Sequence, residues 1–232
     1  MSEVLELRQY TLRPGRRDDL IDLFDRELVE SQEAVGARVL GQFRDLDDAD
    51  RFVWLRGFAD LATRGTALPA FYGGPVWRAH RDKANDTMVD SDDVLLLRPA
   101  GQGLDLAGRA RGGPTTLVTI TLYHLPPGGA DDFLDFFSAA VRPLLTDTGA
   151  PPLAVLRTLA AENNFPPLPI RENENVVAWV ASFPDAERLR EHVRQLGNEP
   201  RWTYDVLPAL TRQLARPAEQ LQLAPTDRSL LR

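Results

Sequence analysis

The sequence predicts an α+β fold in which two tandem β-α-β-β-α-β units close their sheets into one barrel. The first observation behind this is an internal repeat. Leu12-Arg13-Pro14-Gly15 recurs as Leu125-Pro126-Pro127-Gly128, and at the same offset Tyr10 falls on Tyr123, residues 18–24 on residues 131–137, and Gly36 on Gly149. An insertion rich in Pro and Asn at residues 162–175 lengthens the offset. Beyond it Trp54 falls on Trp179, Phe58 on Phe183, Asp60 on Asp185 and Trp77 on Trp202, so that all four tryptophans are used in matched pairs. The second observation is periodicity, which switches from alternation to helical spacing at the same places in both copies. The third is a requirement of packing. A sheet with helices on one face must have its other face covered, and two such units in one chain can cover each other.

The elements follow in order. Residues 4–10 and 117–123 are short, alternating and rich in β-formers, and read as first strands. A Pro-Gly turn follows each. Residues 17–33 carry Leu20, Leu23, Phe24 and Leu28 at amphipathic spacing, with Asp18 and Asp19 favourable at the helix N-terminus. Gly36 and Gly149 read as helix stops. Second strands are expected at 39–43 and 154–159, and third strands at 52–58 and 176–183. A second helical region breaks near Phe71-Tyr72-Gly73-Gly74-Pro75 and restarts at Pro75 or Val76. Residues 94–98 and 220–224 close the copies as fourth strands. Each unit is thus ferredoxin-like. The boundaries are 1–100 for the first repeat, 101–114 for a Gly/Ala-rich linker, 115–225 for the second repeat and 226–232 for a C-terminal tail. On the strands, the Leu5/Leu7 and Val118/Ile120/Leu122 parity is expected to pack on helices. The Glu6/Arg8/Tyr10 parity, with Trp54 and Trp179 on the third strands, is expected to line a cavity inside the barrel. The competing reading makes both tryptophans core residues packed against the helices.

Composition excludes several classes. The balance of 43% hydrophobic and 26% charged residues over 232 residues is globular. With no cysteine there is no disulfide, thiolate metal site or cysteine nucleophile. The three histidines, His80, His124 and His192, share no short ligand spacing, so no metal site is expected. A net charge of −7 argues against a nucleic-acid partner. The start, Met1-Ser2-Glu3, does not read as a signal peptide, and no apolar run is long enough to span a membrane. The expected location is cytoplasmic. No phosphate loop or nucleophile elbow is present, and no cofactor is expected.

The stretch Leu5-Glu6-Leu7-Arg8-Gln9-Tyr10-Thr11-Leu12-Arg13-Pro14-Gly15 resembles the start of NIPSNAP proteins. So does Phe71-Tyr72-Gly73-Gly74-Pro75-Val76-Trp77-Arg78-Ala79-His80-Arg81, followed by Asn85-Asp86-Thr87-Met88 and the run ending at Arg98-Pro99. The resemblance is specific over residues 3–99 and weaker over 115–225, where Thr121 stands for Arg8 and Asp205 for His80. It implies the dimeric α+β barrel superfamily. That superfamily includes cofactor-free monooxygenases of anthrone- and hydroquinone-like aromatics, haem enzymes, lactone isomerases and plain binding modules, several of them in aromatic natural-product pathways of bacteria.

The expected function is accordingly a cofactor-independent oxygenase, or related tailoring enzyme, acting on an aromatic polyketide or polyphenol with dioxygen. The alternative is a non-catalytic small-molecule-binding or assembly module. His80, one helical turn after Trp77, is the expected base, against a bland reading as a surface histidine. Arg8 and Tyr10 are the expected partners for developing negative charge, although Arg8 and Glu6 also read as a buried structural pair. Trp54, Arg56, Tyr72, Trp77, Tyr123 and Trp179 are the expected substrate-binding residues. His192, among Glu191, Arg190 and Arg194, reads as lying on a solvated helix face, and His124 as a solvated strand end. Because the second repeat holds Thr121, Ala181 and Asp205 where the first has Arg8, Arg56 and His80, the first repeat is expected to carry the chemistry. A homodimer is the expected association state.

Overall fold

In the computed structural model, which describes residues 2–101, 103–106, 109, 111–113 and 116–232, eight antiparallel strands form a closed barrel. The first half runs β1 (Val4–Leu12), α1 (Arg17–Leu23), α2 (Val29–Glu33), β2 (Arg38–Asp45), β3 (Arg51–Phe58), α3 (Leu61–Tyr72), α4 (Pro75–Asn85) and β4 (Met88–Pro99). The second runs β5 (Leu117–His124), α5 (Ala130–Phe136), α6 (Arg142–Asp147), β6 (Ala154–Thr158), β7 (Val176–Phe183), α7 (Ala186–Asn198), α8 (Leu207–Gln213) and β8 (Glu219–Pro225). Around the barrel the strands stand in the order β1-β3-β2-β8-β5-β7-β6-β4. The seams between halves are β2 with β8 and β4 with β6.

Local chemistry matches the repeat. Gly36 and Gly149 both adopt positive φ, +94° and +92°, and the next amide in each case closes back on the helix, Ala37 to the Gln32 carbonyl and Ala150 to the Leu145 carbonyl. Only a residue without a Cβ takes that conformation without strain. Asp60 and Asp185 cap α3 and α7 through the amides of Thr63 and Arg188. The first helical region of each half contains a π-helical turn, Phe24–Leu28 and Phe137–Val141, which joins α1 to α2 and α5 to α6. These turns are inserted at matched positions that the 3.6-residue spacing did not reveal.

The strand parities are the reverse of the expectation. Leu5, Leu7, Val53, Leu55, Val118, Ile120, Val180 and Leu223, with partners from every strand, fill the barrel interior as one apolar cluster. An eight-stranded barrel has an interior just wide enough for its own side chains. The Glu6/Arg8/Tyr10 and Trp54/Arg56 parity points outward, under the helices. The physical reason is hydrogen bonding. Buried charges need polar partners, which the helices offer and an apolar lumen does not. The C-terminal tail, residues 226–232, packs back on the barrel. Leu231 is buried against the barrel core and donates its amide to the Leu40 carbonyl, and Thr226 donates to that of Gln42. Of the linker, Leu104 and Leu106 pack on the same core, while residues 102, 107, 108, 110 and 114 lie outside the described residues.

Candidate functional site

On the outer face of β1 and β3, Glu6 is enclosed by three guanidinium groups. It accepts from Arg8 Nη1 at 2.9 Å, from Arg56 Nη2 at 2.5 Å and Nε at 3.1 Å, and from Arg64 Nε on α3 at 2.7 Å. All four side chains are fully buried. The β1–β3 register, with Glu6 opposite Arg56 and Arg8 opposite Trp54, puts them side by side. Burial alone pushes the Glu6 carboxyl up, but Arg56, Arg8 and Arg64 overcome it and hold it far below the usual carboxylate range. Burial works against the Arg8 charge, and Tyr10 and Glu6 more than restore it.

Neutral partners complete the cluster. Arg56 Nη1 donates to Gln32 Oε1 at 2.9 Å and Arg8 Nε to the Tyr10 hydroxyl at 3.0 Å. Arg64 Nη1 donates to Asn163 Oδ1 at 3.1 Å and to Asn164. Those asparagines belong to the insertion of the second half, which straps across α3 and stacks Phe165 on Tyr72, 5.8 Å between ring centroids. Arg8 and Arg56 flank the Trp54 ring, with guanidinium carbons 5.5 and 4.9 Å from its centroid. Three buried donors remain without an acceptor: Arg8 Nη2, Arg64 Nη2 and Trp54 Nε1.

Beside this cluster, between β1/β3 and the helices, is a cavity of about 30 Å³ lined by Tyr10, Phe24, Gln32, Trp54, Tyr72 and Trp77 with apolar neighbours. Phe24 and Leu28 reach it from the π-helical turn, which displaces the helix from regular geometry at that point. Tyr72 and Trp77 reach it from either side of the Gly73-Gly74 break.

The structure therefore brings Arg8, Tyr10, Trp54, Arg56, Tyr72 and Trp77 together. It does not bring Tyr123 or Trp179 to them. Those two lie in the helix-packed core of the second half, where Trp179 Nε1 donates to the Tyr123 hydroxyl at 3.2 Å and burial pushes that hydroxyl up to about 12. Trp54 and Trp179 thus line no common cavity. His80 is not among the lining residues. Its side chain is 31% exposed and its Nε2 stands 3.7 Å from Glu27 Oε2. His192 is buried rather than solvated, with Nδ1 3.0 Å from the Thr148 hydroxyl and its ring against Phe183. His124 is buried among Glu174, Glu219 and Arg216. Among the described residues, no group of three or more metal-ligating side chains occurs and no helix is long and apolar enough to cross a membrane.

Arg64, Gln32, Asn163 and Asn164 were not singled out from the sequence. The repeat held the signal. At matched positions Glu6, Gln32, Arg8, Arg56 and Arg64 become Thr119, Leu145, Thr121, Ala181 and Leu189. The polar cluster is present as a unit in one half and absent as a unit in the other.

Fold and site together define an eight-stranded α+β barrel with one helix-covered arginine site. Residues 5–102 match the NIPSNAP family model, the span over which the resemblance was read from the motifs. No curated protein matches the sequence. Among solved structures, the chain is similar to an anthrone oxidase-like protein, with 13% identity, a TM-score of 0.67, and 97% of this chain and 92% of that one covered. It is also similar to a protein of Fusobacterium nucleatum provisionally called a monooxygenase, with 11% identity, a TM-score of 0.64, and 97% and 92% covered. A similar protein from Lactobacillus acidophilus, also provisionally called a monooxygenase, gives 11% identity, a TM-score of 0.59, and 97% and 94% covered. At these identities the likeness is one of fold.

Proposed function

We propose that the chain is a cofactor-independent oxygenase, or a related tailoring enzyme, for a flat electron-rich aromatic of the anthrone or hydroquinone type in bacterial natural-product biosynthesis. The observation that carries this reading is the aromatic-lined cavity of the first half, set against a buried arginine cluster with donors to spare. Trp54, Trp77 and Tyr72 offer ring faces to a planar substrate, and Arg8 with Trp54 Nε1 offers charge and a hydrogen bond to an oxygen that becomes negative. The substrate supplies its own electrons. Its anion passes them to dioxygen, a carbon–oxygen bond forms as a hydroperoxide, and loss of water leaves a carbonyl. For an anthrone methylene the balance is CH2 plus O2 giving C=O plus H2O. The two halves are proposed to be duplicated ferredoxin-like units, the second kept as a packing wall.

The experiment is oxygen uptake with 1,8-dihydroxyanthrone by metal-free protein. Dioxygen consumed one-to-one with quinone formed, above the spontaneous rate, supports the reading, and no excess over that rate refutes it. The size of the cavity favours a second reading. About 30 Å³ holds a water or two but no ring, as in a non-catalytic binding or assembly module, whereas a substrate requires α4 to swing outward at Gly73-Gly74. A homodimer is proposed for either reading, and light scattering that gives a mass near 25.9 kDa excludes it.

A further inference from the structure

We propose that the arginine cluster itself ionises the ligand: the cleft takes a phenol-type aromatic as its oxyanion, held by Arg8 Nη2 and Trp54 Nε1, and the proton leaves to solvent without any side-chain base. This rests on the reading that an aromatic occupies the cleft, and goes beyond it by naming the ionic form bound and the groups that enforce it.

Charge is the first ground. The charged and titratable groups that face one another here are Glu6, Arg8 and Tyr10 from β1, Arg56 from β3, and Arg64 and Tyr72 from α3. Gln32 from α2 and Asn163 and Asn164 from the strap are neutral. One carboxylate against three guanidiniums leaves a fully buried positive excess, which an anion relieves and a neutral ligand does not.

Donor geometry is the second. On a guanidinium, Nε and Nη2 share one edge of the fork. Arg8 Nε already points at the Tyr10 hydroxyl, so the free Nη2 lies on the Tyr10 side, and Tyr10 lines the cavity. The matched tyrosine–tryptophan pairs then differ in a telling way. In the second half Trp179 Nε1 is satisfied by the Tyr123 hydroxyl. In the first half the Tyr10 hydroxyl accepts from Arg8 instead, and Trp54 Nε1 is left with no acceptor. Trp54 lines the cavity and Arg8 stands behind Tyr10, which lines it too, so that two unpaired buried donors on this side suit a single oxyanion.

The third ground is what the cavity does not offer. Among the described residues, its lining has no carboxylate, imidazole or amine, and the titratable groups in it are Tyr10 and Tyr72. Burial pushes the Tyr10 hydroxyl up although Arg8 opposes this, so it is already protonated at neutral pH and has no room for a further proton. Glu6 is held ionised by three guanidiniums and has little affinity for a proton. The reaction is ArOH giving bound ArO⁻ and a hydronium in solvent; no bond to protein forms.

The test uses 4-nitrophenol, whose phenolate absorbs in the visible and whose neutral form absorbs in the near ultraviolet. It is titrated with the whole protein at a pH about two units below its solution pKa, with 4-nitroanisole, which cannot ionise, as the isosteric control. The expected result is a phenolate band for the bound probe and binding at least about tenfold tighter than the anisole. Trp54→Phe keeps an aromatic ring and removes the Nε1 donor, and Arg8→Met removes the charge at similar volume; each lowers the phenolate fraction of the bound probe and narrows the affinity gap between phenol and anisole. A bound probe with the neutral spectrum, or equal affinity for the two compounds, overturns the proposal while leaving the aromatic cleft in place. Failure of both compounds to bind overturns the cleft and the proposal together. The wild-type spectrum alone decides if either variant fails to fold.

Discussion

Replacing Glu6 with Gln removes the only negative charge among three buried arginines and nearly preserves shape. The carboxylate accepts four hydrogen bonds, at 2.9, 3.1, 2.5 and 2.7 Å, and pairs with guanidiniums contributed by β1, β3 and α3. An amide offers one acceptor oxygen where two stood, and its NH2 meets a guanidinium donor. Breaking a buried ion pair by removing one partner costs about 3–5 kcal/mol, and here three cations lose the same partner, so the upper part of that range is expected. For a chain of this length that corresponds to a fall in Tm of roughly 10 °C or more. The assay is equilibrium urea unfolding followed by tryptophan fluorescence and far-ultraviolet dichroism, beside Thr119→Val at the matched position, expected to change stability by no more than about 1 kcal/mol. A Glu6→Gln variant within about 1 kcal/mol of wild type refutes the idea that Glu6 holds the cluster together.

Three further outcomes are expected. Trp179→Phe and Trp54→Phe remove the same volume, but only the first breaks a hydrogen bond and only the second removes an unpaired buried donor; Trp54→Phe should be the milder in urea melts by about 1–3 kcal/mol, and equal costs would mean that Trp54 Nε1 is satisfied. Burial holds the His192 imidazole below its ordinary value of 6.5. The unfolded chain therefore binds the proton first as pH falls, so this contribution to stability is complete above about 6.5 and is lost below it. Melting temperatures from pH 7.5 to 5.5 should fall, and less so for His192→Gln; identical slopes would count against a buried neutral ring. His80→Ala should leave 1,8-dihydroxyanthrone oxidation near the wild-type rate, whereas a loss of about 100-fold, the scale for a general base, would restore His80 as that base.

The likeness of the two halves was legible at residues with local backbone or capping roles: Gly36 and Gly149, Asp60 and Asp185, the Pro-Gly turns. These act over a few residues and therefore show in a linear string. The facing of the strands was not legible in the same way. Alternation tells which residues share a face, but not whether that face meets helices or the lumen, since both are buried. The deciding factor was the partners that Arg56 finds in Gln32 on α2 and Glu6 in Arg64 on α3, which are distant in the chain. Nothing in the sequence around Arg64 marks it out, and only its fully buried side chain distinguishes it. His192 misled for a related reason: Glu191, Arg190 and Arg194 do point to a polar helix face, yet the 3.6-residue turn sets His192 on the opposite side, against Phe183.

The most direct measurement of where this molecule acts is a crystal soaked with an anthraquinone. The expected result is ring density between β1/β3 and the helices of the first half, against Trp54 and Trp77, with a ring oxygen within hydrogen-bond reach of Arg8 Nη2 and α4 displaced outward. Density in the second half beside Trp179, or in the groove under the strap at Pro166 and Ile170 with the first-half cleft unchanged, would contradict it.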